Sequence, residues 1–171
     1  MFFDGASRVN PSGNLAAGVG IVLVSPHHHV IPRAFTLTKP CSNNVAEYNA
    51  LLIGMKIAHG LGIKNLEAYG DSQLIVCQVQ GLYAVRKPDL IPYYEATMRL
   101  AQKFKNFYME HLLRRQNAYA DALASLATSL ALSPSASEKI WIYTHDLFCP
   151  DLLYEGIPLL PSAEALQTSV N

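Results

Sequence analysis

The hydrophobic period of this chain changes once, near residue 43, and that change restricts the folds open to it. Before it, "MFFDGAS", "AAGVGIVLVS" and "VIPRAFTLT" read as three strands. The intervening "NPSG" and "PHHH" are turns, with Pro and Gly supplying the special backbone angles. Connections this short imply an antiparallel meander. After the change, Ala46, Ala50, Ile53 and Ile57 recur at three- and four-residue steps, with Leu51 and Leu52 beside them. That is the pattern of a helix packed on a sheet, ended by Gly60 and Gly62. "NLEAYG" then reads as a strand, "SQLIVCQVQG" as a short helix and "LYAVRKPDLIPYY" as irregular. "PYYEATMRLAQKF" is helical, "NFYMEHLL" a strand and "NAYADALASLATSLA" an alanine-rich helix. A meander followed by strand–helix alternation predicts an α/β fold, a mixed sheet covered by helices with right-handed crossovers.

The texture changes after Ala131. "LSPSASE" is linker-like, "KIWIYTHDLF" is one candidate strand, and the remainder is punctuated by proline. The expected division is a domain at 1–131 and a linker with a C-terminal extension at 132–171. A strand that begins at the first residue suggests a piece of a longer polypeptide. Up to Leu132 there are 12 Lys+Arg against 8 Asp+Glu, and from Ser133 onward 1 against 5. A mildly basic body permits a polyanionic partner without demanding one. No stretch is apolar and long enough to span a bilayer, and the N-terminus lacks the features of a signal peptide. Cys41, Cys77 and Cys149 are far apart and suggest neither a metal site nor a disulfide framework. An intracellular setting is expected, with no membrane partner.

Four acids stand out. Asp4 follows two phenylalanines on the first strand, and Glu47 lies in the first turns of the first long helix. Asp71 ends the strand "NLEAYG", and Asp121 sits among alanines early in the last helix. Each has a bland reading: Asp71 as a helix cap, Glu47 as an acid favoured by the helix dipole. Gathered at one place, they would repel one another unless cations held them, and hard divalent ions such as Mg2+ suit oxygen donors.

The words "FDGAS", "SNNVAEYNALL", "YGDSQLIV" and "RRQNAYADALASLA", in this order, resemble a type 1 ribonuclease H domain, in the variant found in plant gypsy-type LTR retrotransposon polyproteins. The match covers about residues 1–131. The resemblance implies a five-stranded mixed sheet of order 3-2-1-4-5 flanked by helices. It also implies a metal-dependent endonuclease that hydrolyses the RNA strand of RNA–DNA hybrids, leaving 5′-phosphate and 3′-hydroxyl ends. Asp4, Glu47, Asp71 and Asp121 would be both catalytic residues and ligands of two Mg2+ ions, with Mn2+ able to substitute. Ser42, Asn43, Asn44 and Gln73 would contact substrate, the asparagines and Gln73 at the minor groove and 2′-hydroxyls. Helix capping is the competing role for Ser42 and Asn43. Arg114 and Arg115 are candidates for phosphate. Asn117 would brace Asp121 or cap its helix. Reverse transcriptase and integrase regions of a parent polyprotein are the implied partners.

Two departures from that family bear on substrate affinity. "HLLRRQNAYAD" is too short for the mobile His-containing loop of many members, so His111 receives no role. The basic protrusion is missing, with only Arg86 and Lys87 in its place, so weak hybrid binding in isolation is expected. The run His27–His29 reads as a solvated hairpin tip rather than a metal site. Two other classes compete with the nuclease: a module that keeps the fold and binds nucleic acid or protein without cutting, and a related 3′–5′ exonuclease.

Overall fold

The computed structural model describes residues 1–9, 13–131 and 143–145. Strands β1 (Phe2–Val9), β2 (Leu15–Val24) and β3 (Val30–Leu37) form the meander. There follow α1 (Asn43–Gly60), β4 (Asn65–Gly70), α2 (Gln73–Val79), α3 (Ile91–Ala101), β5 (Asn106–His111) and α4 (Ala118–Ala131). One 3₁₀ turn, Arg114–Gln116, joins β5 to α4. The first five strands lie in the order 3-2-1-4-5 expected from the resemblance. A short β6 (Tyr143–His145) adds a sixth strand, parallel to β3 at Phe35–Leu37. The rest of 132–171, including the linker expected there, lies outside the described residues. Among the described residues no helix is long and apolar enough to cross a membrane.

Pro32 lies inside β3, opposite Val22. The β2–β3 turn places His27–His29 on the surface, with His28 at φ 61. Gly62, at φ +75, completes the stop of α1: its amide bonds the His59 carbonyl at 2.9 Å.

Helix α1 is buried on nearly all sides, lying between the sheet and α3, and Tyr48 stacks with Tyr93 at 6.3 Å. Its apolar residues therefore do not form a single stripe, as expected for a central helix. Gly5 lets it touch β1, since a Cβ there would meet the Ala46–Glu47 backbone.

On the other face, α4 presents the fully buried Ala120, Ala124, Ala127 and Thr128. A Cβ at Gly18 would lie 2.5 Å from the Ala124 carbonyl oxygen, and one at Gly20 would overlap the Ala120 carbonyl. The alanines of α4 and these glycines of β2 together permit backbone-close packing. Gly20→Ala is expected to lower stability by about 3 kcal/mol, because the obstacle is backbone and must shift bodily. Thermal denaturation checks this.

Candidate active site

The parallel register Phe2↔Tyr69 between β1 and β4 determines where the acids meet. Asp4 lies two residues beyond Phe2, and Asp71 two beyond Tyr69. Side chains alternate along a strand, so both project on one face from neighbouring strands about 4.8 Å apart. Asp4 pairs with Gly20, the residue over which the first turn of α4 sits, and this brings Asp121 to the same place. Glu47 arrives from α1, whose backbone is held against Gly5.

The four carboxyls feel one another. Burial, followed by the Asp71 and Asp121 charges, pushes Asp4 up to about 7. In its protonated form Asp4 donates to Asp71. Burial pushes Glu47 up to about 8, against a stabilising hydrogen bond from Ser72, with Asp4 and Asp71 adding repulsion. Arg114 Nη2 donates to Asp121 Oδ1 at 2.6 Å, and its positive charge partly offsets the anionic cluster. This guanidinium is largely exposed, tethered by the 3₁₀ turn.

Supporting contacts surround Asp71. Asn117, at 1 % exposure, donates from Nδ2 to the Phe3 carbonyl at 2.9 Å and to Asp71 Oδ1 at 3.0 Å. It thus reaches Asp71, not Asp121 as its sequence spacing suggested, and its side chain does not cap α4. His111 ends β5 with Nε2 3.2 Å from the Asp71 backbone oxygen. Neither this contact nor that of Ser72 with Glu47 was anticipated. A serine directly after the acid in "GDSQ" was the available signal for the latter.

The residues assigned to substrate divide differently. Ser42 is the N-cap of α1 and accepts from the Val45 amide at 3.4 Å. Asn43 Oδ1 accepts from the Ser7 amide at 2.8 Å, fastening the start of α1 to β1. Asn44 is half-buried, Gln73 is exposed at the start of α2, and Arg115 is exposed beside Arg114.

The donor set is all carboxylate oxygen, which matches hard divalent cations. Among the described residues no three Asp, Glu, His or Cys side chains are gathered closely enough to close on a single ion. Burial and mutual repulsion both disfavour the ionised forms of Asp4 and Glu47, and a bound cation would relieve the repulsion, so the chemistry of the site fits a metal.

A family model described as reverse transcriptase-like matches residues 2–127. A bifunctional protein of Mycobacterium tuberculosis is 35% identical over 136 residues, covering 79% of this chain and 36% of that protein. The chain thus spans about a third of the length of that relative. The crystal structure of RNase H1 from Halobacterium salinarum superimposes with TM-score 0.69 at 37% identity, covering 77% of this chain and 96% of that one. LC11-RNase H1, solved in complex with an RNA/DNA hybrid, matches with TM-score 0.69 at 32% identity, covering 77% and 97% respectively.

Proposed function

The chain belongs to the type 1 ribonuclease H family, and from that premise we propose that it cleaves the RNA strand of RNA–DNA hybrids internally, with two bound Mg2+ ions. The observation that carries the reading is the convergence of Asp4 and Asp71 through the β1–β4 register, with Asp121 and Glu47 electrostatically coupled to them. The hybrid-bound relative at 32% identity supports the substrate class.

In this reading Asp4, Glu47, Asp71 and Asp121 would hold the ions. When bound, the pair supplies activation of the attacking water and charge neutralisation at phosphorus and at the leaving 3′ oxygen. Products carry 5′-phosphate and 3′-hydroxyl ends. Ser72 orients Glu47, and Asn117 and His111 hold the Asp71 segment. Asn44 and Gln73 flank the acids at the starts of α1 and α2, where amides can donate to and accept from a 2′-hydroxyl. The reverse transcriptase-like description of the matching family and the resemblance to gypsy-type polyproteins support action beside a reverse transcriptase, removing template RNA.

A hybrid labelled separately on each strand, incubated with Mg2+, tests the function. Internal cuts confined to RNA support it. Stepwise trimming from a 3′ end, or binding without cutting, overturns it.

Arg114 is proposed to leave Asp121 for a substrate phosphate. Arg114→Ala is then expected to raise KM for hybrid several-fold and reduce the salt slope of binding by about one. Its exposed ion pair contributes only about 0.2–1 kcal/mol to stability, so Tm should hardly move. Titration at two salt concentrations checks both.

A further inference from the structure

We infer that Asn117 is a positioning residue that sets the spacing of three acids for metal capture. The inference rests on the reading of the site as a divalent-metal centre. One buried amide joins segments that are distant in sequence. Its two N–H groups reach the Phe3 carbonyl, adjacent to Asp4, and Asp71 Oδ1. Its backbone carbonyl accepts from the Asp121 amide at 3.1 Å, and its own amide bonds the Arg114 carbonyl at 3.0 Å. Asp4, Asp71 and Asp121 are therefore all referenced to one residue.

The orientation of the amide is informative. Both partners of Nδ2 are acceptors, and Asn117 Oδ1 is left buried without a hydrogen bond. A residue serving only to dock α4 needs no donor aimed at a carboxylate. A docking tie already exists at Thr128, whose hydroxyl lies 3.4 Å from the Ala6 carbonyl and 2.8 Å from that of Ala124. The donor on Asp71 fixes one oxygen of a carboxylate that also hydrogen-bonds Asp4. Groups that orient metal-binding side chains in this way commonly change metal affinity about 10–100-fold when removed.

The test measures Mg2+ binding calorimetrically without substrate, alongside the Mg2+ concentration giving half-maximal cleavage. Asn117→Leu keeps the volume and removes the donors. It is expected to weaken Mg2+ binding about tenfold or more, with the half-maximal concentration shifted in proportion. Thr128→Val, which loosens the same helix away from the acids, should leave both within about twofold. Should Asn117→Leu fail to fold, Asn117→Ser carries the comparison with a several-fold weakening expected. An unchanged affinity in the Asn117 variant, or equal weakening in Thr128→Val, overturns the positioning role. If the wild-type protein binds no Mg2+, the metal reading falls together with it. If the wild type binds and the variant binds equally, only the positioning role falls.

Discussion

Asp4→Asn is expected to reduce hybrid cleavage by about 10³-fold or more while making the metal-free protein more stable at about pH 8. The two effects have one cause. Asp4 is 6 % exposed, beside Asp71 and Asp121, and it is held up at about 7 by burial and by those charges. An ionised Asp4 is therefore a cost to the fold, which the proposed metal ions would offset. Asparagine has the same shape and can still donate to Asp71. It removes the buried charge, and a gain of about 1–3 kcal/mol is expected. It also removes the oxygen charge on which both metals depend in the proposed chemistry, a loss of roughly 4 kcal/mol or more at the transition state. Activity assays with thermal denaturation in EDTA check the pair of outcomes. A variant that is inactive and less stable would mean that Asp4 holds the fold together, and the site would need another explanation.

Much of the fold was legible because packing leaves a periodic trace. The three strands of the meander, the helix from Asn43 and the alanine-rich last helix each announce their period. Their packing faces did not. Ala120 and Ala124 pack backbone-close to Gly18 and Gly20 only because β2 runs beneath α4, a relation that no local pattern encodes. Within "KIWIYTHDLF", read as one candidate strand, the described Tyr143–His145 do form a strand, but their pairing with β3 had no local signal.

The site shows the same divide. Acids at strand and helix ends could be read from their apolar neighbours, whereas their meeting depends on the Phe2↔Tyr69 register. Asn117 precedes Asp121 by one helical turn, so sequence spacing pointed it there. The actual partners, Phe3 and Asp71, are 114 and 46 residues away. Arg114 could be read only as a candidate for phosphate, and its ion pair with Asp121, set by the 3₁₀ turn, left no sequence signal. Contacts of this length are products of the assembled sheet.

The second large effect concerns pH. The ordinary values of Asp4 and Glu47 are 3.8 and 4.5, and the folded protein holds them at about 7 and about 8. Between the lower and upper values the folded state binds more protons than the unfolded state, so stability falls as pH rises. In EDTA the loss should begin near pH 4, continue through about 7 for Asp4 and about 8 for Glu47, and then level off. The combined size is a few kcal/mol, roughly. Mg2+ binds only the deprotonated carboxylates, so millimolar Mg2+ should restore most of that stability at the alkaline end and little at about pH 5. Urea denaturation at several pH values, with EDTA or Mg2+, measures this directly, and Asp4→Asn and Glu47→Gln should each flatten the EDTA curve. The ordinary result for paired carboxylates is the reverse, a protein that gains stability as they ionise. Finding that gain here would mean the four acids are already neutralised by the protein, and metal would have no vacancy of charge to fill. The predicted fall makes ionisation and metal capture one coupled event, so cleavage should rise with pH over the same interval in which the metal-free fold weakens.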